Sequence, residues 1–166
     1  MNYKIKKQYR LPHFNYARSG YYFVTICSCH RKEIFSKIHE GKVVLTEIGD
    51  IIDRSWKYIP TSSPFASLDE FVIMPDHVHG IILIDNPNES DVADIKFEMR
   101  KRTLSVVVRT FKAAATANAR KIHPAIDLWQ PRFFDRIIRN HEELQRIRKY
   151  ILDNPLRWEV DRNNQM

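Results

Sequence analysis

The chain has 166 residues, 43% hydrophobic and 28% charged, the size and composition of one soluble globular domain rather than of a disordered, fibrous or collagen-like chain. No apolar run approaches the ~20 residues that span a bilayer, and no apolar stretch follows the basic start, so neither a membrane anchor nor a signal peptide is expected and a cytoplasmic location is. The net charge of +7 is uneven: residues 1–32 hold seven basic and no acidic side chains, and residues 99–166 hold 15 basic and 7 acidic ones. That pattern points to a phosphate-rich partner, although a merely solvated basic surface fits it too.

Residues 1–19 mix basic and aromatic side chains without periodicity and are expected to form an extended arm ending at Gly20. Residues 21–29 (YYFVTICSC) are β-branched and aromatic, a first strand. Cys27 and Cys29 lie too close along it for a good disulfide, and Cys27, Cys29 and His30 do not converge as a zinc site. Gly41 leads into a short strand at residues 42–45. Thr46 caps a helix over residues 47–58 with Ile48, Ile51, Ile52 and Trp56 as its apolar stripe, and Pro60 stops it.

Residues 65–74 form a third strand, Pro75-Asp76 a tight connection and residues 77–85 (HVHGIILID) a buried fourth strand. An acidic, turn-rich loop covers residues 85–94. Residues 103–121 read as a helix built on Leu104, Val107, Val108, Phe111 and Ala115. A loop bracketed by Pro124 and Pro131 leads to a fifth strand at residues 133–139. Asn140 caps a last helix over residues 141–154, supported by Glu142 and Glu143, and Pro155 ends it. The order β-β-α-β-β-α-β-α predicts an α+β fold, a ferredoxin-like sandwich with a mostly antiparallel sheet and helices packed on one face.

Two places carry chemistry. In His77-Val78-His79 the alternation of a strand puts both imidazoles on one face, where they can chelate a divalent metal. Pro75 fixes the approach to this strand, and Gly80 is expected to remove bulk beside the pair. On the last helix Tyr150 and Asn154 are four residues apart and share a face. A tyrosine bordering the core and an asparagine before Pro155 would look the same. The asparagine amide oxygen is nonetheless a fair third ligand for a hard metal, and the tyrosine hydroxyl is a candidate nucleophile.

These residues sit in four segments: GYYFVTIC at 20–27, FVIMPDHVHGIILI at 71–84, LSVVVRTFKAAAT at 104–116 and LWQPRFFDRIIRNHEELQRIRKYILDNPLRW at 128–158. In this order they resemble the HUH-motif single-strand transposases of the insertion-sequence family, specifically the REP-associated tyrosine transposase branch. The resemblance covers residues 12–158 and implies a transposase domain at 20–158, flanked by the basic arm at 1–19 and a C-terminal tail at 159–166. It implies that His77, His79 and Asn154 hold Mg2+ or Mn2+, that Tyr150 is the catalytic nucleophile, and that the Asn where relatives outside the branch have Gln marks that branch. The implied reaction cleaves and rejoins single-stranded DNA with hairpin or palindromic structure through a 5′-phosphotyrosine. It uses no nucleotide cofactor, and the protein is a monomer or homodimer. Arg146 and Lys149, with the metal, would favour the phenolate.

DNA contacts are expected from the arm (Lys4, Lys6, Lys7, Arg10 and Arg18), from Arg109, Lys112, Arg120 and Lys121, and from Arg146 and Lys149. Tyr16, Trp129 and Phe133 are candidates for base stacking, or for the core. Two other readings stay open. A non-catalytic module that binds single-stranded nucleic acid on a ferredoxin-like sheet explains the charge but not the coincidence of His77, His79, Tyr150 and Asn154. A metal hydrolase of small substrates explains the histidines but leaves the basic surface unused.

Overall fold

The computed structural model describes residues 18–86 and 102–163. Lys4, Lys6, Lys7, Arg10 and Tyr16, and the expected acidic loop beyond Asn86, lie outside the described residues.

Alternation decides how the central strand is used. In β1 (Gly20–Cys27), Tyr22, Val24 and Ile26 enter one core, while Phe23 enters another across the sheet. β1 pairs antiparallel with β5 (His77–Ile84) on one side and with β6 (Phe134–Ile138) on the other, and β4 (Ala66–Ile73) adds to β5. The order is β4-β5-β1-β6, every neighbour antiparallel. The first strand and β5, from the chain's middle, are thus central, which is the ferredoxin-like arrangement the sequence predicts.

The expectation that all helices cover one face is corrected. Helices α1 (Glu47–Lys57) and α3 (Leu104–Ala119) cover one face, contributing Ile48, Ile52, Trp56, Val108 and Phe111 to the larger core. The last helix, α4 (His141–Asn163), lies on the opposite face, where Leu144 and Ile151 pack with Phe23, Ile81 and Ile138. Each such fully buried aliphatic chain contributes about 1.5–3 kcal/mol, so this smaller cluster is enough to hold the helix down.

Two further elements are not foreseen by the sequence. β2 (Ser36–His39) pairs with β3 (Lys42–Leu45) in a separate hairpin turned at Glu40 and Gly41, both with positive φ. A short α2 (Ile59–Ser62) starts at Tyr58, with Pro60 in its first turn. β1 also ends two residues early, because Cys29–Arg31 forms a 3-10 turn in which His30 and Arg31 adopt left-handed φ.

Pro155 does not end the last helix; the helix runs to Asn163, so residues 159–163, expected as tail, belong to it. An interior proline costs roughly 3 kcal/mol. The turns beyond it carry their own anchors. The Glu159 carboxylate accepts from the backbone N–H groups of Glu40 and Gly41 at 3.1 and 2.7 Å, Leu156 lies against Gly41, and Trp158 packs beside His77. At its start, Asn140 Oδ1 accepts from Glu143 N while the Glu143 carboxylate reaches back past the cap to accept from Arg139 N, a variant of the capping box. Midway, Arg148 donates two hydrogen bonds to Asp69 on β4, which holds that carboxyl below the usual carboxylate range.

Gly80 serves the opposite face from the one expected. A Cβ there would lie 2.3 Å from Trp56 Cζ2 and 3.2 Å from Phe71 Cβ. The missing side chain lets the Trp56 indole, fully buried, approach the β5 backbone closely. Gly80→Ala should therefore destabilise the fold by about 1–3 kcal/mol through overpacking, read as a lower midpoint in urea unfolding. An unchanged midpoint would mean that the Trp56 ring shifts without cost.

Candidate active site

The register of β1 against β5 builds the floor of the site. Thr25 lies opposite His79 and Cys27 opposite His77, so all four side chains project from the face covered by α4. The imidazoles of His77 and His79 are 4.3 Å apart between centroids at 73°, and both are buried, 5% and 6% exposed. The expected sharing of one face is therefore present, but the pair is enclosed rather than open at a strand end.

Each ring is held by its Nδ1. Asp76 Oδ1 is 2.6 Å from His77 Nδ1, and the other oxygen of that carboxylate accepts from Arg31 Nε at 2.7 Å. Thr25 Oγ1 is 2.9 Å from His79 Nδ1. Nδ1 is thus occupied on both rings, and Nε2 remains as the donor atom available to another group. Burial, the adjacent His77 and Arg31 push the pKa of His79 down to about 3, so its imidazole is neutral at ordinary pH.

The roof is α4. Tyr150 Oη stands 3.4 Å from His79 Nε2, with ring centroids 5.4 Å apart, and Phe23 meets the tyrosine ring edge-on at 6.0 Å. Two turns on, Trp158 lies 5.9 Å from His77. Asn154 is midway between them along the helix and is buried, 8% exposed. Tyr150 itself is 38% exposed, leaving its hydroxyl reachable from outside.

Among the described residues no three His, Cys, Asp or Glu side chains form a metal-binding group. What the fold does gather is the two imidazoles, with Asn154 buried on the helix that covers them. Two imidazole nitrogens, with the Asn154 amide oxygen as a third donor, would suit a divalent ion of the Mn type, with water completing the shell.

The basic candidates are dispersed. Arg109 and Lys112 belong to α3, and Arg120 and Lys121 follow it, across the sheet from the histidines. Lys112 donates to the carbonyl oxygens of Gln130 and Pro131, and burial pulls its ammonium below the usual lysine range; it braces the 129–131 loop. Trp129 is core, against Phe35 and Phe111, and Phe133 packs on that core. Arg18 is exposed beside the start of β1, and Arg146 and Lys149 are exposed on α4. The cation over the Tyr150 ring is neither of these last two but Arg157, with Cζ 5.8 Å from the centroid.

Sequence reasoning missed Thr25, Asp76, Arg31 and Trp158. Only Asp76 carried a signal, as the carboxylate directly before His77. The other three depend on register, on the left-handed turn and on the helix continuing past Pro155.

The model of the family described as transposase, IS200-like, matches residues 16–154, most of the chain. An uncharacterized protein of Haemophilus influenzae is 35% identical over 164 residues, spanning 94% of this chain and 91% of its own length. Among solved structures, a REP-associated tyrosine transposase bound to a REP hairpin matches with a TM-score of 0.62 and 21% identity, over 89% of this chain and 73% of that one. That last likeness is one of fold, the same sandwich described above. The resemblance carried by the four sequence segments is thereby borne out, and the chain belongs to the IS200-like transposase family.

Proposed function

We propose that the protein cleaves and rejoins hairpin-forming single-stranded DNA with Tyr150 as the nucleophile, in the manner of the REP-associated branch. One observation carries the reading: α4 brings Tyr150 to within 3.4 Å of His79, with Asn154 buried one turn further along the same helix. A purely DNA-binding sheet has no use for a tyrosine hydroxyl aimed at a buried pair of imidazoles.

His77, His79 and Asn154 would hold Mn2+ or Mg2+. The ion, when bound, supplies positive charge to polarise the scissile phosphate. Asp76 and Thr25 keep the two imidazoles oriented through Nδ1. Tyr150 Oη attacks phosphorus, forming a 5′-phosphotyrosine and releasing a 3′-hydroxyl. The reverse attack rejoins a strand, so the phosphodiester energy is conserved and no ATP is required. The free thiols Cys27 and Cys29 suit a reducing cytoplasm.

A radiolabelled hairpin oligonucleotide with single-stranded flanks, incubated with the protein and Mn2+, should yield a protein–DNA adduct that survives denaturing electrophoresis. Tight binding without any adduct would favour the non-catalytic binding module instead.

A further inference from the structure

We propose that Arg157 is a second catalytic residue of this reaction, its guanidinium binding the non-bridging oxygens of the phosphate that Tyr150 attacks. The inference rests on Tyr150 being the nucleophile. Arg157 is exposed, with Cζ 5.8 Å from the centre of the Tyr150 ring. It stands on the part of α4 beyond Pro155, which Trp158 holds beside His77 and Glu159 fastens to the β2–β3 turn, so its backbone is fixed over the site. The match to the family model ends at residue 154, three residues short of it.

What separates Arg157 from Arg146 and Lys149, the other exposed cations of α4 beside Tyr150, is its place over the Tyr150 ring, and what separates it from the remaining cations of this face is that no carboxylate holds it. Arg31 is bound to Asp76 and Cys27, Arg148 to Asp69, and Arg136 to Glu143. Among the described residues Arg157 has no acidic partner. A guanidinium offers five donors in a planar fork that matches phosphate oxygens, and it stays protonated throughout. An exposed one held over a nucleophile, with no carboxylate of its own, is arranged to receive an anion from outside. The DNA phosphodiester is that anion, and its non-bridging oxygens gain charge as a fifth oxygen approaches phosphorus. In the step, the P–Oη bond forms and the P–O3′ bond breaks. The phenol proton leaves to water, and the departing 3′-oxygen takes a proton from water. Arg157 exchanges no proton; it balances charge before, during and after the transfer.

The test uses the full chain with Mn2+ and the labelled hairpin in single turnover. It compares wild type, Tyr150→Phe, Arg157→Lys and Arg157→Ala on two substrates, the natural phosphodiester and one whose cleavage phosphate, mapped with the wild type, is an uncharged methylphosphonate. On the phosphodiester, Arg157→Ala should form adduct about 100-fold more slowly, with Arg157→Lys between it and wild type. Hairpin affinity and melting temperature should not fall in step with the rate. On the methylphosphonate the advantage of wild type over Arg157→Ala should vanish, since there is no charge left to bind. Wild-type speed in Arg157→Ala, or the same deficit on both substrates, would overturn the role of Arg157 while leaving Tyr150 in place. An adduct formed by Tyr150→Phe would overturn the underlying reading instead.

Discussion

Tyr150→Phe should abolish covalent capture of DNA while leaving the fold and hairpin binding intact. The substitution removes one oxygen, and that oxygen makes only a 3.4 Å contact to His79 Nε2. The ring does the packing: it meets Phe23 edge-on, lies against His79 and sits beneath Arg157. A long hydrogen bond from a residue 38% exposed is worth at most about 0.5–1 kcal/mol. Melting temperature should therefore barely move. The rate should fall on the order of 10⁴-fold or more, because no other hydroxyl among the residues placed at the site is positioned to substitute for a lost nucleophile. Thr25 Oγ1 is committed to His79 Nδ1. The measurement is adduct yield on denaturing gels at saturating hairpin. Undiminished adduct would locate the nucleophile elsewhere.

Much of this arrangement was legible in the sequence because strong local signals agreed with it. Strand alternation in HVH put two imidazoles on one face, and the four-residue spacing of Tyr150 and Asn154 put them on one helix face. The strands and capped helices follow from β-branched runs and from Thr46 and Asn140, whose side chains accept from Gly49 and Glu143; the cap at Thr103, read as the first helical residue, accepts from Val106. What failed did so where tertiary contacts outweigh local preference. Pro155 signals a stop, but Glu159, Leu156 and Trp158 each find a partner beyond it, and the helix continues. Gly80 stands beside the histidines in sequence, but it faces the other way, toward Trp56. Arg146 is one helical turn before Tyr150, yet the cation that reaches the ring is Arg157, seven residues on. The side of the sheet that α4 takes is also not written in its own periodicity. It follows from Phe23 and Ile81 offering an apolar patch directly beside the histidine pair.

Replacing His77 or His79 with alanine should remove the response to divalent metal and Asn154→Ala should weaken it, and the enclosure of the site determines how this must be measured. At 5%, 6% and 8% exposure, none of the three can be truncated without leaving a cavity, so each variant should also lose about 1–3 kcal/mol of stability. Loss of cleavage alone would not separate a missing ligand from a loosened site. Binding of Mn2+ to the native state raises the melting temperature by mass action, independently of any chemistry. A thermal-shift titration with Mn2+ should therefore show a saturable rise in wild type and none in His77→Ala or His79→Ala. Asn154→Ala, which keeps both imidazoles, should still respond but at higher Mn2+ concentration. Asp76→Asn isolates orientation from ligation: His77 remains, but the carboxylate that holds its Nδ1 at 2.6 Å is replaced by an amide. Such outer partners are worth about 10- to 100-fold in metal affinity, so its midpoint should move by that factor. Equal Mn2+ shifts in wild type and all four variants would mean that the ion binds elsewhere, leaving the histidine pair as a packed element beneath the tyrosine.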